Sequence, residues 1–239
     1  MISEVNALIT GASSGIGRAI AMAIASAGGA VCLVGRNFER LDTLAQAARV
    51  TARSVSIFRA DLGADRAIEE LAAFVMRDFK ALDTLIHCAG LHAVGSLEQI
   101  SVTQLDELYR TNVRAPYGLT QVFLPLLKFR KGQIVFINSS QGLRAGSNTG
   151  AYASTKHAVK AIADSLRDEV NVDGVRVLSV YPGRTATPTM KALYEVEGRS
   201  YEPDLLQPDD IAQVVLNALQ LPRTAEVTDI QIRPLRKSY

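Results

Sequence analysis

Cysteine is scarce in this sequence. Cys32 and Cys88 are the only two among 239 residues, and both fall inside apolar runs of strand-like composition. That excludes a multi-bridge disulfide framework; both are expected as buried free thiols, with a single disulfide or metal pair as the alternative, and no metal is expected. No run approaches the ~18 consecutive apolar residues that a membrane span needs. The formal net charge is only +2 and is spread along the chain, which leaves no basic patch able to compete for phosphate backbones. Neither a membrane nor a nucleic acid is expected as a partner. The start, Met1-Ile2-Ser3-Glu4, carries an acidic residue and lacks the basic region and small-residue cleavage site of a signal peptide; with the free thiols, this points to a reducing, cytoplasmic setting. No repeat, low-complexity block or Gly/Ser linker interrupts the chain, and 48% of it is hydrophobic. One domain spanning residues 1–239 is expected, with enough apolar material for a single large core.

Short runs of Val, Ile and Leu alternate with longer amphipathic stretches. The pattern predicts strands near 5–9, 30–34, 54–58, 83–87, 133–137, 175–180 and 227–231. Helices are predicted near 15–27, 38–51, 64–79, 102–129, 150–172 and 208–220. Repeated βαβ units of this kind give an α/β fold, a doubly wound parallel sheet of about seven strands covered on both faces. The segment from Pro182 to Pro208 exceeds the usual connection of about two to six residues. Within it Pro188, Met190, Leu193, Tyr194 and Glu197 suggest a short helix, and Gly198 and Pro203 a break after it. A mobile lid over 188–207 is expected there, with a permanently packed surface helix as the alternative.

Three stretches carry chemistry. Thr10-Gly11-Ala12-Ser13-Ser14-Gly15-Ile16-Gly17 follows the apolar run Ala7-Leu8-Ile9 and opens a helix. Glycines at such a turn let the backbone approach a pyrophosphate, whose charge then sits at the helix N-terminus. The dinucleotide pattern G-x-G-x-x-G would need glycine at position 20, where Ile20 stands, and no Gly-Lys-Ser/Thr follows for a Walker loop. After the second strand the chain reads Val34-Gly35-Arg36-Asn37, without the acid that would hold a ribose 2′-hydroxyl. Gly35 leaves room for a 2′-phosphate and Arg36 offers it planar, charge-assisted hydrogen bonds, so NADP(H) is expected; a solvated arginine at a strand end is the alternative. Lastly, Tyr152 and Lys156 lie four residues apart on one helix face, and the apolar strand Ile134–Ile137 runs into Asn138-Ser139-Ser140, thirteen positions before Tyr152. A nearby Lys156 cation and an oxidised nicotinamide would both favour the phenolate, and bringing the phenol down from its usual pKa of ~10 by roughly three units would take about 4 kcal/mol of differential electrostatics.

In this order the motifs resemble the classical short-chain dehydrogenases/reductases, over nearly the whole chain from Thr10 to about Arg233. The first turn is similar to that family's TGxxxGxG, and the resemblance implies a Rossmann-type domain. It assigns cofactor contacts to Gly11, Ser13, Ser14, Gly15, Ile16, Gly17 and Arg36, and places Asp61-Leu62 at the adenine, although Asp61 equally suits a helix N-cap. Ala89-Gly90 would let the cofactor pass, and the PGxxxT segment Pro182-Gly183-Arg184-Thr185-Ala186-Thr187 would bring Pro182, Gly183, Thr185 and Thr187 to the nicotinamide end. The resemblance implies that Ser139 polarises a substrate carbonyl and Tyr152 exchanges the proton. Lys156 would tune Tyr152 and hold the ribose, while Asn112 retains a water linking Lys156 to solvent. One departure stands out: His87-Cys88-Ala89-Gly90 replaces the usual NNAG, and His87 and Cys88 are read as the end of a core strand. The implied activity is hydride transfer between NADP(H) and a small-molecule carbonyl/alcohol pair, in a homodimer or homotetramer. A non-catalytic NADP-binding sensor on the same fold is the alternative; an epimerase or dehydratase of the related extended fold fits poorly, lacking TGxxGxxG and a longer C-terminal domain.

Overall fold

The computed structural model describes residues 1–79, 81–196, 198, 200 and 204–236. Seven strands are present: β1 (Asn6–Thr10), β2 (Ala30–Gly35), β3 (Ser54–Arg59), β4 (Thr84–His87), β5 (Gln133–Ile137), β6 (Arg176–Pro182) and β7 (Asp229–Ile232). They form one sheet in the order β3-β2-β1-β4-β5-β6-β7, with every pairing parallel. Parallel neighbours demand crossovers, and the helices supply them: α1 (Gly15–Ser26), α2 (Phe38–Ala48), α3 (Ala67–Phe74), α4 (Val102–Tyr109), α5 (Ala115–Arg130), α6 (Gly150–Val170), α7 (Pro188–Val196) and α8 (Pro208–Leu219). This is the doubly wound Rossmann-type arrangement.

Apolar strands without polar alternation are what a sheet covered on both faces requires. Successive residues of one strand feed opposite cores: Ile9, Leu33, Val135 and Val180 pack with Ile20 and Ile24 of α1, Leu41 and Leu44 of α2, and Ile211 and Val215 of α8. Their neighbours Leu8, Val34, Ile134 and Phe136 pack with Leu71 of α3, Phe123 and Leu127 of α5, and Val159 and Leu166 of α6. Each such side chain, fully buried, contributes roughly 1.5–3 kcal/mol. Cys32 is buried in the second of these cores, and both cysteines are free. No described helix is long and apolar enough to cross a membrane.

Two predicted helices are interrupted. The stretch 102–129 is α4, then a π-helical turn over Arg110–Arg114, then α5. Pro116 contributes to the break because it has no N–H to give the carbonyl of Asn112 four residues earlier. The stretch 64–79 likewise becomes α3 and a π-helical turn over Val75–Phe79. The order of strands reverses beside β1, between β2 and β4, and in open parallel sheets the crevice outside the strands' carboxyl ends at that point is where ligands bind.

Candidate active site

A cleft of about 360 Å³ occupies that crevice. Its floor is the turn after β1, where Gly11 (φ +67°) and Gly15 (φ +53°) adopt left-handed backbone conformations. A Cβ on Gly11 would lie 2.8 Å from the Ala89 nitrogen, and one on Gly17 would lie 2.5 Å from the Gly11 carbonyl oxygen. Gly17 thus serves packing beneath the turn, whereas Gly11, Ser13, Ser14, Gly15 and Ile16 line the cleft. Ser14 precedes α1 without a side-chain capping bond, and the first turn of α1 holds no acid. The first backbone N–H groups there have no intrahelical acceptor and suit a phosphate. The cradle therefore fits the pyrophosphate of the expected dinucleotide. Thr10 ties the turn to the next wall: its Oγ1 donates to the Ile86 carbonyl (3.2 Å) and accepts from the N–H groups of Cys88 (3.0 Å) and Ala89 (3.1 Å).

Beside β2 and β3, the cleft is lined by Gly35, Arg36, Asp61 and Leu62. The Asp61 carboxylate accepts the Gly63 N–H at 3.0 Å, so it closes its own turn as well as bordering the cleft. Asn37 caps α2, accepting the Arg40 N–H at 2.9 Å.

Ser139 stands where β5 leaves the sheet, and its Oγ accepts the Gln141 N–H at 3.2 Å. Tyr152 and Lys156 lie on the buried stripe of α6 that continues through Val159, Ala163 and Leu166, so helix packing itself aims them at the sheet. Lys156 Nζ donates to the Ile137 carbonyl at 3.1 Å, and Asn138 Nδ2 donates to the Lys156 carbonyl at 3.1 Å. Ser139, Tyr152 and Lys156 all line the cleft.

Among the protein's own groups, burial dominates the electrostatics of the Tyr152 and Lys156 pair. Burial pushes the Tyr152 phenol up to about 12, with a hydrogen bond from Ser139 acting in the lowering direction. Burial also brings Lys156 down to about 8. The Lys156 ammonium lies 5.8 Å from the Tyr152 ring centroid and is directed at the Ile137 carbonyl. Near neutral pH the phenol holds its proton.

Asn112, in the π-helical turn, lies behind the cleft wall. Its Oδ1 accepts the Leu91 N–H (2.7 Å), while its Nδ2 donates to the Leu91 carbonyl (2.9 Å) and to Thr155 Oγ1 (3.0 Å). Thr155 Oγ1 in turn donates to the Tyr152 carbonyl at 2.7 Å. The side chain of Asn112 thereby joins the 88–92 wall to the helix carrying Tyr152. That clamp sets His92 against Tyr152, ring centroids 4.2 Å apart. His92 borders the cleft and went unnoticed in the sequence because tertiary contacts, the Leu91 clamp among them, bring it to α6.

His87 is a core group, as read: its Nε2 lies 2.8 Å from Thr120 Oγ1, and its ring stacks on Phe136 at 4.8 Å. Cys88, at the strand end as read, packs against the first core while also reaching the cleft. It follows the last residue of β4, is half-buried, and lines the cleft with Ala89 and Gly90.

Pro182, Gly183, Thr185 and Thr187 complete the opposite wall. Thr187 Oγ1 accepts the Met190 N–H at 3.1 Å and so starts α7. Met190 and Leu193 of α7 face the cleft, Tyr194 is buried beneath the Arg184 guanidinium at 4.9 Å, and Lys191 and Glu195 are exposed. Glu197 and Pro203, expected in the same lid, lie outside the described residues.

Known proteins share both the sequence and this frame. Residues 5–198 match the family described as short chain dehydrogenase. An uncharacterized oxidoreductase of Staphylococcus epidermidis is 34% identical over 236 residues, 98% of this chain and 99% of the relative. Among solved structures, an alcohol dehydrogenase of the archaeon Thermococcus sibiricus, complexed with 5-hydroxy-NADP, superposes with a TM-score of 0.88 at 30% identity, covering 98% of this chain and 99% of that one. A short chain dehydrogenase of Shigella flexneri complexed with NADP gives 0.87 at 32% identity, covering 95% and 96%.

Proposed function

The chain belongs to the short-chain dehydrogenase family of oxidoreductases, and from that membership we propose that it interconverts a small-molecule carbonyl and its alcohol using NADP(H), with Tyr152 as the acid/base group. The observation that carries this reading is the convergence of Ser139, Tyr152 and Lys156 on a cleft whose floor is a glycine cradle at a helix N-terminus. When bound, the nicotinamide supplies or accepts the hydride. Gly11, Ser13, Ser14, Gly15 and Ile16 hold its pyrophosphate, Arg36 the 2′-phosphate, Asp61 and Leu62 the adenine, and Ala89, Gly90, Pro182, Gly183, Thr185 and Thr187 the remaining walls.

Ser139 and Tyr152 hold the substrate oxygen, and Tyr152 gives it a proton during reduction and takes one during oxidation. A phenol poised near 12 retains its proton until an alkoxide develops, which suits the acid role. Lys156, still charged below about 8, holds the ribose and favours the phenolate once the proton has left. Asn112 positions the wall and α6 relative to each other. The exposed faces of α4, α5 and α6 pair copies of the chain into a homodimer or, as two such pairs, a homotetramer.

NADPH is expected to bind at least tenfold more tightly than NADH, a gap of about 1.4 kcal/mol. Replacing Arg36 by Asp inverts that order through repulsion of the 2′-phosphate. Fluorescence titration of both proteins with both cofactors checks it; equal native affinities refute it.

The lid reading of 188–207 has its own test. Trypsin is expected to cut early after the exposed Lys191, and NADPH with a substrate analogue to slow that cut severalfold. Unchanged cutting with ligands, or none at Lys191, assigns α7 to a static surface helix. An early cut is expected after Arg199 as well, a residue outside the described ones.

A further inference from the structure

We propose that Arg59 is a second cation of the 2′-phosphate subsite and, with Arg36, sets the preference for NADP(H); this rests on the cofactor reading above. Nothing near Arg59 in the sequence marks it. The register of the sheet does, since Gly35 of β2 pairs with Arg59 of β3. Paired residues of neighbouring parallel strands project from the same face, about 4.8 Å apart. That face is identified by Gly35, where a Cβ would point at Ser13 Oγ, 3.2 Å away. Arg59 therefore leaves the sheet on the side of the glycine-rich turn, next to the space that the missing Gly35 side chain leaves.

A contact agrees with this placement: Arg59 Nε donates to the Arg36 carbonyl at 3.3 Å. The Arg59 guanidinium is thus held against the Arg36 backbone at one strand-end corner, and both arginines are exposed. Among the described residues neither has a carboxylate within ion-pair distance. A phosphate monoester with close to two negative charges seated beside Gly35 can accept planar, charge-assisted hydrogen bonds from both side chains. The Ser13 hydroxyl, facing Gly35, completes a site of two cations and one neutral donor. NAD(H) offers only a hydroxyl there and gains little from the second cation.

The test is titration of the full-length protein with NADPH, NADH, adenosine 2′,5′-bisphosphate and 5′-AMP, for native protein, Arg59→Gln and Arg59→Lys. Arg59→Gln is expected to lower the NADPH-over-NADH affinity ratio about tenfold, and the bisphosphate-over-AMP ratio in parallel, with both ratios becoming less sensitive to salt. Arg59→Lys, which keeps the charge and loses the Nε contact, is expected to recover most of each ratio. Loss of affinity for all four ligands alike would make Arg59 only a brace for the Arg36 backbone and overturn the proposal. Native ratios in Arg59→Gln would overturn it too, leaving the NADP reading intact. Equal NADPH and NADH affinities in the native protein would overturn both.

Discussion

Replacing Tyr152 by Phe is expected to lower turnover at least a hundredfold while leaving NADPH affinity within about twofold. A hundredfold is about 2.7 kcal/mol of barrier, in the range of a positioned general acid. The exchange removes one oxygen and keeps the ring that packs against His92 at 4.2 Å, so α6 has no reason to shift. It deletes the proton that burial retains on the phenol and the hydroxyl that Ser139 meets. An interaction made mainly in the transition state lowers kcat and kcat/KM together, and steady-state kinetics beside a fluorescence titration separate this from weakened binding. Retention of more than a tenth of native turnover would give the proton to another group, with His92 the nearest candidate.

Acid is expected to destabilise the fold through His87. Burial brings this imidazole from 6.5 down to about 3, so the folded protein keeps it neutral where the unfolded chain protonates it. The stabilising contribution is complete above about 6.5 and is lost progressively as pH falls towards 3. At pH 5 the loss from this one group is about 2 kcal/mol. His87→Gln keeps a polar partner for Thr120 and cannot be protonated. Urea unfolding at pH 7 and pH 5 should show native stability dropping about 2 kcal/mol further than that of the variant. Equal drops would mean that His87 titrates normally in the folded state.

The five inner strands were legible because a strand buried on both faces reads as a largely apolar run, and the edge strands β3 and β7, which are only partly buried, because Val, Ile and Phe still recur along them; each strand lies within two residues of its predicted start and end. The glycine turn and the Tyr152/Lys156 pair were legible for a related reason, since local geometry alone brings those residues together. What escaped the sequence depends on distant partners. The π-helical turn at Asn112 is held by Leu91, twenty-one residues away, and by Thr155, forty-three away. The high phenol pKa follows from burial of Tyr152, which spacing to Lys156 cannot reveal. Cys88 packs against the core, as its apolar neighbours suggest, and its second face, on the cleft, follows from β4 ending one residue earlier. Arg59 becomes meaningful only through its register with Gly35.

The most direct test of the whole account is oxidation of NADPH and of NADH followed by absorbance against a panel of aldehydes and ketones, with native protein and Tyr152→Phe side by side. The account predicts turnover of at least one carbonyl, faster with NADPH at limiting cofactor, and its loss by at least a hundredfold in the variant. Turnover that survives in Tyr152→Phe, or no turnover of any carbonyl by a native protein that binds NADPH, would contradict it.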